Sequence, residues 1–388
     1  MKVAILLFSS AAILLAIFGL VMIYSVSSVQ GEALNNDGYH FVKNQGLFLV
    51  LAITIAILIN LIPFDSFFSK GIIYFAGISI IIGLIIVHIP GIGREVNGSN
   101  RWIDFLGFRL QTSEFIKLAT IFLMAWWQGQ PWRKNKSLLE GLVIPSAVLL
   151  VIDAGLMLQP DFGSTLMLST ICFLMMIVAG VKIKYFLCLI PFPIIAFIIK
   201  VIADPLRLKR VTPIFELNFA DSVDQEILSD SLYQVISAIS AFKHGGALGQ
   251  GIGQSVFKEH YIPEYHTDFI LSMVGEELGI IGTSLVAIGV LTILICGTYI
   301  SIKENDFQFR LLAFGMTLQI SLYSIVNTGV VSGLFPTKGL AMPFLSYGGS
   351  NLLSTFIAAG LVIYVARHVM ENEYQEGTPA HDPNFWKM

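Results

Sequence analysis

The sequence predicts an all-α membrane protein: ten transmembrane helices, with a large, partly helical extracytoplasmic loop between helices 7 and 8. Three observations predict it. The 388 residues are 55% hydrophobic and 13% charged, roughly half the ~25% charge of an average soluble protein. Mean hydropathy is +0.77. Apolar runs of about 20 residues, long enough to cross a bilayer as a helix, recur along the whole chain. A soluble fold cannot bury that many all-apolar helices. The composition therefore excludes a soluble enzyme and a disordered chain. A net charge of −3 leaves no global basic surface and no nucleic-acid partner.

The elements follow in order. Met1 and Lys2 precede an apolar stretch from Val3 to Tyr24. It is longer than the ~7–15-residue core of a signal peptide, so the first span, 4–26, is read as retained. Spans follow at 46–62 and 71–89. The fourth, 113–128, is short and carries Glu114 and Lys117. Spans 139–158, 163–181 and 184–203 come next. The eighth, 267–300, begins with polar residues and is expected to leave the bilayer or to break near Gly279 and Gly282. Spans 309–334 and 349–369 complete the set. Residues 1–370 make one membrane domain. The acidic stretch 371–388, with Pro379 and Pro383, is read as a disordered cytoplasmic tail.

An even number of spans puts both termini on one side. Lys2, Lys70, Arg133, Lys134, Lys136, Lys182, Lys184, Lys303, Arg310, Arg367 and Lys387 fall on that side. The short loops opposite hold only Lys43, Arg94, Arg101, Arg109 and Lys338. The excess of basic residues makes the terminal side cytoplasmic. Segment 204–266 is then an outward loop, far longer than ordinary connections. Its residues 230–243 repeat with helical period, placing Leu232, Ile236, Ile239 and Phe242 on one face. They read as an amphipathic helix near the membrane surface. Cys172, Cys188 and Cys296 lie in apolar runs at spacings that fit neither zinc nor disulfides. No internal repeat is visible, which counts against a transporter.

Charges next to or inside apolar spans are expensive, so each is a functional candidate. Asp268 sits where the long loop meets the eighth span. A carboxylate at such a wet boundary suits general-base chemistry, and capping the helix is the plainer alternative. On a helix starting there, Glu276 lies ~80° around and ~12 Å deeper, and Glu277 points away from it. Glu114 and Lys117 are three residues apart and share a helix face. Either they neutralise each other or Lys117 faces a cavity and binds an anion. Arg101, Arg109, Arg207, Lys209, Arg210 and Lys338 cluster on the outward side. A lipid diphosphate is one anion that would offset them. Asp161 is expected to face out from a Gln159-Pro-Asp turn. Asp153 and Lys200 have no assigned role. His266 has no partner at metal-ligand spacing. Gly245, Gly246, Gly249, Gly251 and Gly253 fit no nucleotide-binding loop and read as a flexible, close-packed loop.

On these residues the chain resembles the SEDS family (shape, elongation, division and sporulation). The matching stretches are Asn97-Gly-Ser-Asn-Arg-Trp-Ile103, Gln111-Thr-Ser-Glu114 with Lys117, Gln159-Pro-Asp-Phe-Gly163, Pro263-Glu-Tyr-His-Thr-Asp-Phe269, Gly275-Glu-Glu-Leu-Gly279 and Pro343-Phe-Leu-Ser-Tyr-Gly-Gly-Ser350. Pro336-Thr-Lys-Gly339 resembles the division branch more than the elongation branch. Thr112, Ser164 and Asn351 depart from the family's usual proline, threonine and serine.

The resemblance implies a peptidoglycan glycosyltransferase that polymerises lipid II outside the cytoplasmic membrane, at the division septum. It implies a class B penicillin-binding protein as partner, with other division proteins. The family's essential aspartate maps onto Asp268, and its polar cavity onto Glu114, Lys117, Asp161 and Lys338. Arg101, Arg207, Arg210 and Ser346 complete the residues expected to touch substrate. No cofactor is implied with certainty; a divalent cation on the diphosphate stays open. The competing readings are a lipid II flippase, an elongation-type polymerase and a scaffold that recruits the transpeptidase.

Overall fold

Within a bilayer the backbone has no water to bond, so an apolar run must satisfy its own amides as a helix. The computed structural model describes residues 1–96, 99–105, 108–130, 139–185, 230–257, 265–335 and 339–377, and the apolar runs among them are helical. The elements are α1 (Lys2–Asn35), α2 (His40–Ile59), α3 (Phe64–Phe67) and α4 (Lys70–Ile86). Strands β1 (Gly93–Val96), β2 (Ser99–Phe105) and β3 (Phe108–Gln111) come next, and α5 (Thr112–Gly129) follows directly. A π-turn at Leu139–Val143 enters α6 (Ile144–Leu158), followed by α7 (Phe162–Val178). Then come α8 (Asp230–Gly245), α9 (Ile270–Lys303), α10 (Phe307–Val331) and α11 (Gly349–Gly377).

Six of these helices are long and apolar enough to cross a membrane. Two more, α4 and α7, are apolar but shorter. The helix α5 carries buried charge and stands among them. The expected seventh span, 184–203, lies outside the described residues apart from its first two positions. Cys172 and Cys296 are buried thiols.

Three features differ from the sequence reading. The segment 93–111 is a three-stranded antiparallel sheet of order β1-β2-β3, so the fold is not purely helical. Its strands are short, and only β3, Phe108-Arg-Leu-Gln111, alternates apolar with polar residues, over just four positions. The last helix continues to Gly377, into the segment read as a disordered tail. Its far end beyond that lies outside the described residues. Finally, α8 forms where expected but presents a different face. Val235, Ala238 and Ala241 are buried, while Ile236 and Ile239 are half-buried. One residue of offset is a rotation of ~100°. The helix packs against α9 and α10 rather than lying free on a surface.

The helix α9 is broken, as its glycines suggest. Gly279 has φ 65 and ψ −154 inside an otherwise helical run. A side chain is disfavoured in that conformation. The break frees carbonyls, and the glycine-rich loop after α8 satisfies them. Gln250 N–H donates to Glu276 O and Gly251 N–H to Glu277 O, both at 2.9 Å. Ile280 N–H donates to Gly246 O at 3.1 Å. The approach is backbone to backbone: a Cβ at Gly249 would stand 2.2 Å from Glu277 O. The run of glycines is therefore a docking seam.

The two acids beside the break, about 100° apart as successive helix residues are, reach different partners. Glu276 accepts from Val256 N–H at 2.9 Å, pairs with His244 at 3.0 Å and bonds Ser255. Glu277 accepts from Ser25 Oγ of α1 at 2.5 Å. Both carboxylates are buried. They tie the loop and α1 to the outer part of α9, which sets the position of the turn preceding it.

Candidate active site

Asp268 lies in the turn 265–269 that leads into α9. Three successive carbonyls of this turn are held. His266 O accepts from Tyr347 N–H at 2.9 Å. Thr267 O accepts from Ser346 Oγ at 2.5 Å. Asp268 O accepts from Asn327 Nδ2 at 2.8 Å. Two of the three donors belong to the Pro343–Ser350 stretch and one to α10. Ser346 also accepts from Met342 N–H, and Asn327 also donates to Leu340 O. Buried polar groups must be paired, and here the pairing fixes the backbone under the carboxylate.

Ser346 is fully buried with its hydroxyl taken by two backbone groups. It was expected to touch substrate; its contacts instead make it a positioning residue. Phe344, two residues earlier, holds φ 64 while almost fully buried. A non-glycine residue in that region costs about 1–3 kcal/mol and persists only where its surroundings enforce it.

Beside the carboxylate stands Arg101, on β2. A Cβ added at Gly339 would meet Asp268 Oδ2 at 3.5 Å and Arg101 Nη2 at 3.9 Å. The missing side chain keeps the space between acid and base open. Arg101 Nη1 lies 3.6 Å from Asp161 Oδ1, and its buried Nε makes no hydrogen bond among the described residues. Asp161 is buried. Its carboxylate caps α7 at Ser164 N–H, 3.1 Å, and accepts from Ser113 Oγ at 2.8 Å. The cap uses the backbone of residue 164, so serine serves there as well as threonine. Gln111 closes this network, with its side chain on Ser113 and its N–H on Ser350 Oγ.

One layer deeper, Lys117 and Glu114 pair at 2.7 Å. Lys117 has no exposed surface, and its Nζ stands 4.2 Å from the Tyr323 ring centre. The second Glu114 oxygen accepts from Ser354 Oγ of α11 at 2.7 Å. Of the two readings for this pair, mutual neutralisation is the one the geometry gives. An open anion-binding Lys117 is not. Asp153 accepts from Ser169 Oγ at 2.5 Å and takes no part in the site. The His266 ring packs among Phe41, Tyr265 and Tyr347. Burial raises the Tyr265 and Tyr347 phenols above their ordinary pKa, so neither competes with Asp268 as a base. Arg207, Arg210 and Lys338 lie outside the described residues, as does Lys200. Among the described residues no group of three or more His, Cys, Asp or Glu side chains is placed to hold a metal ion.

The assembly joins an acid at a turn, a guanidinium on a sheet, and a buried ion pair beneath them. The sequence matches the family model described as "Cell cycle protein", FtsW/RodA/SpoVE, over residues 5–371. The chain belongs to the FtsW/RodA/SpoVE family. Its relatives in that family include a protein of Geobacter metallireducens, 36% identical, covering 95% of this chain and 94% of the relative. One from Trichlorobacter lovleyi is 37% identical over 90% of this chain and 89% of its own. One from Legionella pneumophila is 34% identical over 93% and 89%. Each is named a probable peptidoglycan glycosyltransferase FtsW. Two solved structures share the family's fold. A chain from work on "structural coordination of polymerization and crosslinking by a peptidoglycan synthase complex" has TM-score 0.69 and 23% identity, covering 91% of this chain and 97% of that one. The rod shape determining protein RodA of Thermus thermophilus has TM-score 0.64 and 21% identity, covering 93% and 95%.

The FtsW/RodA/SpoVE fold thus gathers four distant segments around Asp268. Sequence reasoning missed Asn327 and Ser354, and gave Gln111 no role beyond the stretch that contains it. Asn327 had a readable signal, an isolated amide inside an apolar span. Gln111 and Ser354 sat in stretches whose roles appear only once α5 and α11 meet.

Proposed function

We propose that this chain is an inverting peptidoglycan glycosyltransferase that polymerises lipid II at the outer face of the cytoplasmic membrane. The observation that carries the reading is Asp268, a carboxylate on a turn pinned at three successive carbonyls, opening toward Arg101 across Gly339. The names of the FtsW relatives supply the substrate class.

In the reaction, the growing glycan on its lipid diphosphate is the donor. The GlcNAc C4 hydroxyl of an incoming lipid II attacks C1 of the donor MurNAc. Asp268 takes the hydroxyl proton as the C–O bond to the diphosphate breaks, and the bonding pair leaves with the diphosphate. A single displacement inverts the anomeric carbon. Arg101, the described cation beside Asp268, stabilises the charge that develops; electrostatic stabilisation of this kind is often the largest single contribution. Arg207, Arg210 and Lys338 are further cations for the diphosphate. Lys117 shapes the floor of the site through Glu114 and does not reach the leaving group.

A class B penicillin-binding protein is the proposed partner, with other division proteins at the septum. The chain lies with both termini in the cytoplasm. The test is glycan polymerisation by the detergent-solubilised complex. Detergent leaves nothing to flip lipid II across, so polymer supports a polymerase. Its absence, together with lipid II transfer across vesicles, would support a flippase.

A further inference from the structure

Beside Asp268 lies a small cavity of about 30 Å³. Its polar lining among the described residues is Gln234, Asp268 and Asn327, with Gly339 at its edge. The Asn327 amide nitrogen is spent on two backbone carbonyls. The Gln234 carboxamide makes no hydrogen bond among the described residues. Gln234 is half-buried on α8, next to the buried Val235. That helix is anchored on both sides: Val235 and Ile239 reach Gly333 past the end of α10, and the glycine seam holds its far end against α9. Gln234 therefore lines the cavity from a fixed frame, with its amide unspent.

We propose that Gln234 is a substrate-binding residue that holds the acceptor sugar by a hydroxyl adjacent to the attacking one. The proposal rests on the reading of Asp268 as the base. A carboxamide offers both a donor and an acceptor, which matches the neighbouring hydroxyls along a sugar edge. It carries no titratable proton, so it orients the acceptor without competing for the proton that Asp268 removes. At about 30 Å³ the cavity is far smaller than a ligand pocket and has room for about one water-sized group, so it takes a single hydroxyl on the edge of a sugar ring. Phe269 and Leu340 give that edge an apolar wall for its C–H face. In lipid II the C4 hydroxyl of GlcNAc stands between the C3 and C6 hydroxyl groups, and one of these meets Gln234.

The test uses the full chain in complex with its transpeptidase. Wild type, Gln234→Ala and the isosteric Gln234→Met are assayed with lipid II and with analogues whose GlcNAc lacks the C3 or the C6 hydroxyl. The expected loss in kcat/KM for the variants is about ten- to a hundredfold with intact lipid II, because a misplaced acceptor loses the near-attack geometry. The pH profile and the melting temperature stay those of wild type. One deoxy analogue is penalised by wild type, and the variants show no further penalty with it. Wild-type kinetics in Gln234→Met, or undiminished penalties for both analogues in the variants, would overturn the proposal. An active Asp268→Ala would instead overturn the base assignment, and the analogue comparison at Gln234 would still read the contact.

Discussion

Lys117 and Glu114 form an ion pair buried among the helices. Removing one partner of a buried pair leaves an uncompensated charge, at about 3–5 kcal/mol. Lys117→Met is expected to lower the melting temperature of the detergent-solubilised protein markedly. Adding Glu114→Gln recovers part of the loss, because the two changes are coupled. A double variant no more stable than Lys117→Met would contradict the pairing. The pair was legible in the sequence, since three-residue spacing puts both side chains on one helix face. Its third member, Ser354, was not, because it arrives from α11. The burial of Asp161 was not legible for the same reason. A turn in the chain says nothing about Ser113 and Arg101, which close over it.

At the scale of elements, the break in α9 is the joint on which the site depends. Gly279→Ala would place a Cβ 2.5 Å from Ala247 O in a backbone conformation that side chains avoid. The expected cost is about 1–3 kcal/mol, with slower polymerisation because the turn carrying Asp268 shifts with the outer part of α9. The control is Gly77→Ala, where nothing stands within 4 Å in mid-helix. It should be neutral or stabilising by up to ~1 kcal/mol. Equal melting temperatures for the two variants would contradict the seam. The helices were readable from apolar length alone, and the break from its glycines. The sheet was not, because strands of four to seven residues give no periodic signal. The buried face of α8 was off by one position. The sequence pattern marks which residues are apolar, whereas the facing helices select which are covered.

On the scale of the whole molecule, the turns before α7, α9 and α11 and the small sheet all meet at one end. At the other end, Glu304 between α9 and α10 accepts from His368 of α11 at 2.9 Å, and Gln308 reaches Trp126 O of α5 at 3.3 Å. The basic residues of the sequence assign the first of these ends to the outside, an expectation that fusions can test. Reporter fusions at either terminus are expected to score as cytoplasmic, and a reporter inserted at Leu248 as external. Any terminal fusion scoring external would reverse the assignment. What one chain could not convey at this scale is how segments hundreds of residues apart converge, as Gln111 and Ser350 do. The account stands most directly on polymerisation by the purified complex carrying Asp268→Ala or Asp268→Asn, compared with wild type. Loss of a general base predicts a fall of about 10²–10⁴-fold in both, with folding and partner binding retained. Full-rate polymer from either variant would contradict the central claim.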